Sequence, residues 1–276
     1  MPSYRDLLRH SGLDAIDARA LLCHALGVDH AWLIAHGLDS VPAGQLACFD
    51  SLAERRRQGE PVAYIVGERE FYSRPFHVTP EVLIPRPETE HLVELALARL
   101  PLDRAASVLD LGTGSGIIAI TIALERPRAS VLAVDASPTA LAVAADNARR
   151  LGASMETRLG NWYSTIEPVR RFELIVSNPP YIVSDDPHLR EGDLRFEPVS
   201  ALTDHADGLS CIRQIVAGAV RHLAPGGWLM FEHGYDQGAA SRALLTAQGF
   251  AGVRTECDLA GIERVTLGCL ESRPPL

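Results

Sequence analysis

The densest group of residues arranged for chemistry in this chain is Asn178-Pro179-Pro180-Tyr181. It follows an apolar run, Phe172 to Val176, that reads as a buried strand of a parallel sheet. Open α/β sheets bind ligands just past the carboxyl ends of their strands. Two successive prolines fix φ and remove two N–H donors, and a proline after Asn178 pushes that residue away from helical angles. The expected result is a stiff corner offering a side-chain amide oxygen, backbone oxygens and an aromatic face. Such a corner suits a planar NH2 group: its two hydrogens go to Asn178 Oδ1 and the Pro179 carbonyl, and the Tyr181 ring packs on its flat face. Pro-Pro alone would mark only a turn that ends a strand. The whole tetrapeptide, placed after a strand and downstream of a glycine loop, favours a functional corner. Asn178, Pro179 and Tyr181 are the candidate catalytic residues, and Asn178, Pro179, Pro180 and Tyr181 the candidate substrate contacts.

The glycine loop is Asp110-Leu111-Gly112-Thr113-Gly114-Ser115-Gly116. Glycines let backbone turn tightly and approach a ligand closely. The spacing is G-x-G-x-G, with Ile117 where a dinucleotide fingerprint would have its last glycine. Asp135, at the end of the next strand, can accept both ribose hydroxyls of a nucleoside. The pair fits S-adenosylmethionine better than NAD, because that cofactor has no phosphate and carries a sulfonium and an ammonium. Asp110, beside the loop, suits those cations. Asn161-Trp162 can border the adenine, although core packing is an equal explanation for Trp162 taken alone. The candidate cofactor residues are Asp110, Gly112, Thr113, Gly114, Ser115, Gly116, Asp135, Trp162 and Asn178.

These loops need a sheet to hold them. From 107 onward strands and helices alternate, the pattern of a doubly wound α/β fold with a mostly parallel seven-stranded sheet. The spacing predicts strands at Val108–Leu111, Val131–Val134, Thr157–Leu159, Leu174–Val176, Trp228–Phe231, Val253–Cys257 and Arg264–Leu270. The intervening helices are predicted at 117–124, 139–150, 209–223 and 234–248. Residues 1–65 read as a small all-helical domain, punctuated by Gly12, Gly27 and Gly37, with Pro42 opening a helix that ends at Arg55-Arg56-Arg57. Residues 66–84 read as a β-hairpin linker, with 70–72 and 76–78 flanking Ser73-Arg74-Pro75, and 85–276 as the catalytic domain. Glu88 and Glu90 open an amphipathic helix, where acids suit the N-terminus; a place at the pocket rim is an equal reading.

Composition excludes several classes. A net charge of −9 argues against a domain whose main affinity comes from phosphates. All 26 basic residues are arginine, and the run 55–57 reads as a solvated helix end rather than a nucleic-acid patch. No apolar run approaches the roughly 20 residues that span a bilayer, and 1–10 lacks a signal-peptide core. Cys23, Cys48, Cys211, Cys257 and Cys269 are scattered, which predicts neither a metal site nor disulfides and fits the cytoplasm. No Ser/His/Asp or Cys/His set has supporting context, so the ten histidines read as structural or surface residues.

The tetrapeptide and the glycine loop together resemble S-adenosylmethionine-dependent amino methyltransferases. Further segments resemble one family among them, the peptide chain release factor glutamine methyltransferases (HemK/PrmC). These are Phe71-Tyr72-Ser73-Arg74-Pro75-Phe76, Leu83-Ile84-Pro85-Arg86-Pro87-Glu88-Thr89-Glu90, Ser177 to Tyr181 and Arg195-Phe196-Glu197-Pro198. The resemblance covers essentially the whole chain. It implies a class I methyltransferase fold and transfer of a methyl group to the glutamine of the Gly-Gly-Gln motif of release factors. It also implies that the N-terminal helical domain docks the factor. Cofactor contacts carry over to Gly112–Gly116, Asp135, Trp162 and Asn178, and substrate contacts to Asn178–Tyr181. Where many related enzymes have an acid near the adenine, this chain has Asn161, which can still accept a hydrogen bond. The rival reading is an amino methyltransferase acting on adenine or guanine in DNA or ribosomal RNA. It would need a basic, aromatic-lined surface for a flipped base. A non-catalytic binding module is a second rival, which intact Asn178 and Asp135 oppose.

Overall fold

The N-terminal helices begin where short polar side chains can satisfy their free N–H groups. Ser3 caps α1 (Tyr4–His10) in a reciprocal capping box with Asp6, Asp14 caps α2 (Ala15–Leu26), and Asp29 caps α3 (His30–Ala35), accepting from Trp32 N at 2.7 Å. Gly27 closes α2 in the left-handed conformation (φ 68°), and α4 (Ala43–Arg57) and α5 (Val62–Val66) each follow a proline. Their core is Tyr4, Leu21, Leu22, Leu33, Val41, Phe49, Ala53 and Ile65. In this computed structural model, residues 1–271 are described and divide into two units. The first is Met1–Glu68 with Arg190–Phe196; the second is Arg69–Leu189 with Glu197–Leu276. The sequence places segment 190–196 in the later domain. It joins the first unit because Arg56 bridges Asp17 (2.6 Å) and Asp193 (2.8 Å). The arginine run is thus an ion-pair hub, with Arg55 on Glu60 and Arg57 on Glu54.

The second unit starts within a hairpin, β1 (Glu68–Phe71), whose first residue belongs to the first unit, and β2 (Arg74–His77). The strands close around Tyr72-Ser73, not Ser73-Arg74-Pro75, because both turn residues take positive φ (51° and 58°), the geometry that matches strand twist in a two-residue hairpin. Then come α6 (Glu88–Leu97), β3 (Ser107–Leu111), α7 (Ile117–Glu125), β4 (Ser130–Asp135), α8 (Pro138–Leu151), β5 (Glu156–Leu159) and β6 (Phe172–Ser177). After these follow α9 (Val199–Leu202), α10 (Ser210–His222), β7 (Leu223–Glu232), α11 (Gly238–Ala247), β8 (Ala251–Cys257) and β9 (Glu263–Cys269). Two boundaries differ from expectation. β7 begins earlier, since Leu223 pairs with Phe172 ahead of the Pro225-Gly226-Gly227 irregularity. α11 begins later, since Gly234–Gln237 is spent on a turn (Gln237 N to Gly234 O, 3.0 Å).

The seven strands lie in the order β5-β4-β3-β6-β7-β9-β8, parallel up to β7 and antiparallel at β9 and β8. Side chains alternate between faces along a strand. Val108, Val131, Leu174, Val176 and Met230 pack with α6 and α7, while Leu109, Leu132, Ile175, Leu229 and Phe231 pack with α10. Burial on both faces explains why these strands read as continuous apolar runs. The same alternation sends Asp110 and Glu232 into the layer holding α6 and α7.

Candidate functional site

The chain runs outward from β3 to β5 and then returns to the other side of β3 with β6. The point where strand order reverses leaves a crevice at the carboxyl ends. Leu111 is in register with both Val134 and Ser177. The loops that follow, carrying Gly112, Asp135 and Asn178, therefore leave the sheet side by side. Ser177 Oγ donates to Leu111 O (2.7 Å), and Gly112 N donates to Val134 O (2.8 Å). These bonds lock the three strand ends together.

A cavity of about 320 Å³ opens there. One wall is Gly112, Thr113, Gly114 and Ser115, with Asp135 beside them. Gly114 has φ 56° and open space where a Cβ would be, so its backbone can meet a ligand; Gly116 has φ 87° and lets the α7 N-terminus pack closely because it lacks a Cβ, which would lie 2.7 Å from Ile120 Cδ1. Asp135 accepts Gly114 N (2.8 Å) on one oxygen and Ser137 N (2.9 Å) on the other. A carboxylate has about four acceptor positions, and the Ala136 N–H also bears on this one, so a position stays available to a ribose hydroxyl. Burial pushes its pKa up, and those backbone N–H groups pull it back. Asn161 and Trp162 form another wall, with Trp162 at φ 50°. Glu81, Asp135 and Asp204 line the cavity and no arginine does. That set of acceptors suits an uncharged or cationic nucleoside rather than a phosphate.

Asn178 and Pro180 line the same cavity. Asn178 Nδ2 donates to Thr89 Oγ1 (3.1 Å), Thr89 Oγ1 donates to Glu232 Oε2 (2.7 Å), and Tyr181 Oη donates to Glu232 Oε1 (3.2 Å). Thr89 and Glu232 are buried. Burial raises the Glu232 pKa, and its two hydroxyl donors oppose the rise. Burial, then the neighbouring Glu232 charge, keeps the Tyr181 phenol protonated.

Several expected residues sit elsewhere. Asp110 lies under the loop instead of in the cavity, because its strand position faces the helix layer. It is fully buried, accepts from Thr113 Oγ1 (2.7 Å), and burial lifts its pKa to about 7 despite that hydroxyl. Gly116 shapes the turn without lining the cavity. Pro179 is buried, and Tyr181 is turned toward Glu232; neither is part of the cavity wall. Glu90 accepts Tyr72 N (2.8 Å), and neither it nor Glu88 reaches the cavity. Glu197, from the Arg-Phe-Glu-Pro segment, accepts Ile84 N (3.1 Å) and the Arg86 guanidinium. The two family-like segments thus meet in one partly buried ion pair, with Leu83 and Pro198 on the cavity wall. Sequence reasoning missed Thr89, Glu232 and the lining residues His205 and Cys211. His205 is at φ 56°, and burial pushes the Cys211 thiol up to about 11. The only available signal for Thr89 was its place between the two glutamates of α6. Among the described residues no cluster able to hold a metal ion is found.

Residues 3–67 match the family described as PrmC N-terminal domain, and 90–190 match methyltransferase small domain. The release factor glutamine methyltransferase of Neisseria gonorrhoeae is 54% identical over 267 residues, 96% of this chain and 97% of that protein. The enzyme of the same name from Pseudomonas aeruginosa is 54% identical over 254 residues, 92% of this chain and 91% of its own. This chain belongs to the release factor glutamine methyltransferase family. A solved methyltransferase from Pyrococcus furiosus shares the fold, with a TM-score of 0.57 at 15% identity over 79% of this chain and 98% of that one. In this family member, two of the segments that carried the resemblance, around Arg86 and Glu197, are those joined by the partly buried ion pair.

Proposed function

We infer that this chain transfers a methyl group from S-adenosylmethionine to the side-chain amide nitrogen of the glutamine in the Gly-Gly-Gln motif of peptide chain release factors. The observation that carries this reading is the Asn178 carboxamide, held by its Nδ2 on Thr89 and set in the wall of the cavity that contains Asp135. With Nδ2 engaged, Oδ1 is the group left to accept a substrate N–H. Family membership supports the same substrate.

An amide nitrogen is a poor nucleophile because its lone pair is delocalised into the carbonyl. S-adenosylmethionine supplies an electrophilic methyl on a sulfonium. Asp135 would hold the ribose hydroxyls, Asn161 and Trp162 would border the adenine, and Gly112 to Ser115 would give backbone contact. Asn178 Oδ1 accepts one N–H of the substrate glutamine and stabilises positive charge building on its nitrogen; the Pro179 carbonyl, between the wall residues Asn178 and Pro180 in the chain, is the acceptor proposed for the other. Tyr181 backs the corner and helps exclude water. Orienting the nitrogen toward the methyl would supply much of the rate; as the N–C bond forms the C–S bond breaks, S-adenosylhomocysteine leaves as a neutral thioether, and the amide proton passes to water. The unit built on Met1–Glu68 docks the release factor, and the reaction belongs to the cytoplasm, where that factor works. No helix among the described residues is long and apolar enough to cross a membrane.

The test incubates the chain with methyl-labelled S-adenosylmethionine and either a release factor or ribosomal RNA, then maps the label. Label on the Gly-Gly-Gln glutamine is expected, and its loss when that glutamine is replaced. Label on RNA bases and none on the factor would overturn the reading.

A further inference from the structure

We infer that Thr89 and Glu232 are positioning residues that set the polarity of the Asn178 carboxamide, so that its oxygen faces the substrate. The inference rests on the reading above, in which Asn178 accepts a substrate N–H, and adds what makes it accept. The oxygen and nitrogen of an asparagine amide have nearly the same shape, so sterics alone scarcely distinguish the two orientations. An ordered direction must come from a neighbour whose own direction is fixed.

Glu232 supplies it. Burial favours its protonated form, while the Thr89 and Tyr181 hydroxyls and the Arg264 charge favour the ionised one; ionised, it only accepts. Its Oε2 takes the single Thr89 hydroxyl hydrogen at 2.7 Å, and its Oε1 takes that of Tyr181 at 3.2 Å. With its hydrogen committed, Thr89 Oγ1 can only accept from Asn178, at 3.1 Å. The group turned to Thr89 is therefore the NH2. The opposite orientation would set two oxygens against each other in a site where Thr89 is 0% and Glu232 2% exposed. The cost of that contact is high where water cannot relieve it. Each part has its place from the fold: alternation along β7 puts Glu232 on the α6 face, and Thr89 lies in the first turn of α6. Tyr181, from the same corner as Asn178, closes the loop on the other carboxylate oxygen. The carboxylate thus holds both ends of the corner, one directly and one through Thr89.

The test measures cofactor Kd and kcat on a release factor for the full-length chain and for Thr89→Val, Thr89→Ser, Glu232→Gln and Asn178→Ala. Thr89→Val keeps shape and removes the hydroxyl; it is expected to lower kcat about tenfold, the worth of one buried hydrogen bond, with cofactor Kd within about twofold of wild type. Thr89→Ser is expected to restore kcat to within about threefold, since it restores the bond. Glu232→Gln leaves one acceptor where the carboxylate had two, so Thr89 and Tyr181 can no longer both be held as donors and the direction of the Thr89 hydroxyl is no longer fixed; kcat is expected to fall. Wild-type kcat in either Thr89→Val or Glu232→Gln, or equal impairment of Thr89→Val and Thr89→Ser, would overturn the inference. If Thr89→Val fails to bind cofactor, Glu232→Gln decides it. An active Asn178→Ala would instead overturn the proposed role of Asn178. An inactive Asn178→Ala beside normal Thr89→Val and Glu232→Gln would defeat the positioning role alone.

Discussion

Two walls of one cavity are built by different means. The wall after β3 is made of backbone: Gly112 to Ser115, braced by Asp135 through Gly114 N and by Asp110 through Thr113. The wall after β6 depends on side chains: Asn178 lines the cavity and is held by a network outside it, Thr89, Glu232 and Tyr181, joined across 89, 143 and 51 positions of sequence. A backbone wall tolerates many side chains but demands particular φ angles. A side-chain wall tolerates its backbone but demands particular donors and acceptors. Changes on the two walls should fail in different ways, the second in turnover and the first in binding and stability.

The largest effect is expected from Asn178→Ala, which removes the acceptor for the reacting group. Turnover should fall by roughly 10²–10³, as for loss of one preorganised hydrogen-bonding group at a transition state, with cofactor affinity nearly unchanged. A comparable loss of affinity would mean that the two walls are not separable.

Next comes Asp110. Its folded pKa of about 7 stands above the ordinary 3.8, so between those values the folded chain binds more protons than the unfolded one. Stability from this group is fully present below about pH 4 and is lost as pH rises through about 7. The loss should amount to roughly 2–4 kcal/mol. Urea titrations of wild type and Asp110→Asn across that window would read it. The variant's curve should be flatter by that amount, and parallel curves would place the charge in a more hydrated setting.

Asp135→Ala should weaken cofactor binding about ten- to a hundredfold, the loss of hydrogen bonds to a charged group, while kcat at saturating cofactor changes little. Calorimetry decides it, and an unchanged Kd would show that the ribose lies elsewhere. The smallest effect belongs to Gly114→Ala. The added methyl meets open space but is forced to φ 56°, at a cost of about 1 kcal/mol in stability by thermal unfolding.

The contrast also explains what was legible in the sequence. The glycine loop, Asp135 and the proline corner are local signals, each written in one strand end and the residues after it, so the sheet and the cavity's backbone wall follow from pattern alone. The polar network does not. Thr89 reads as an ordinary helix residue and Glu232 as a strand terminus, and only their placement on one sheet face makes them partners. Asp110 misled for a related reason: its position near the loop is local information, but its direction depends on the two-residue alternation of β3. The partition of 190–196 rests on Arg56 reaching Asp193, a contact 137 residues long in sequence.

The most direct measurement is a crystal structure with S-adenosylhomocysteine and a Gly-Gly-Gln peptide. The sulfur should face the Asn178 corner, with the glutamine NH2 between it and Asn178 Oδ1 and the ribose on Asp135. A sulfur turned away from that corner, or a glutamine amide bound outside it, would contradict the account.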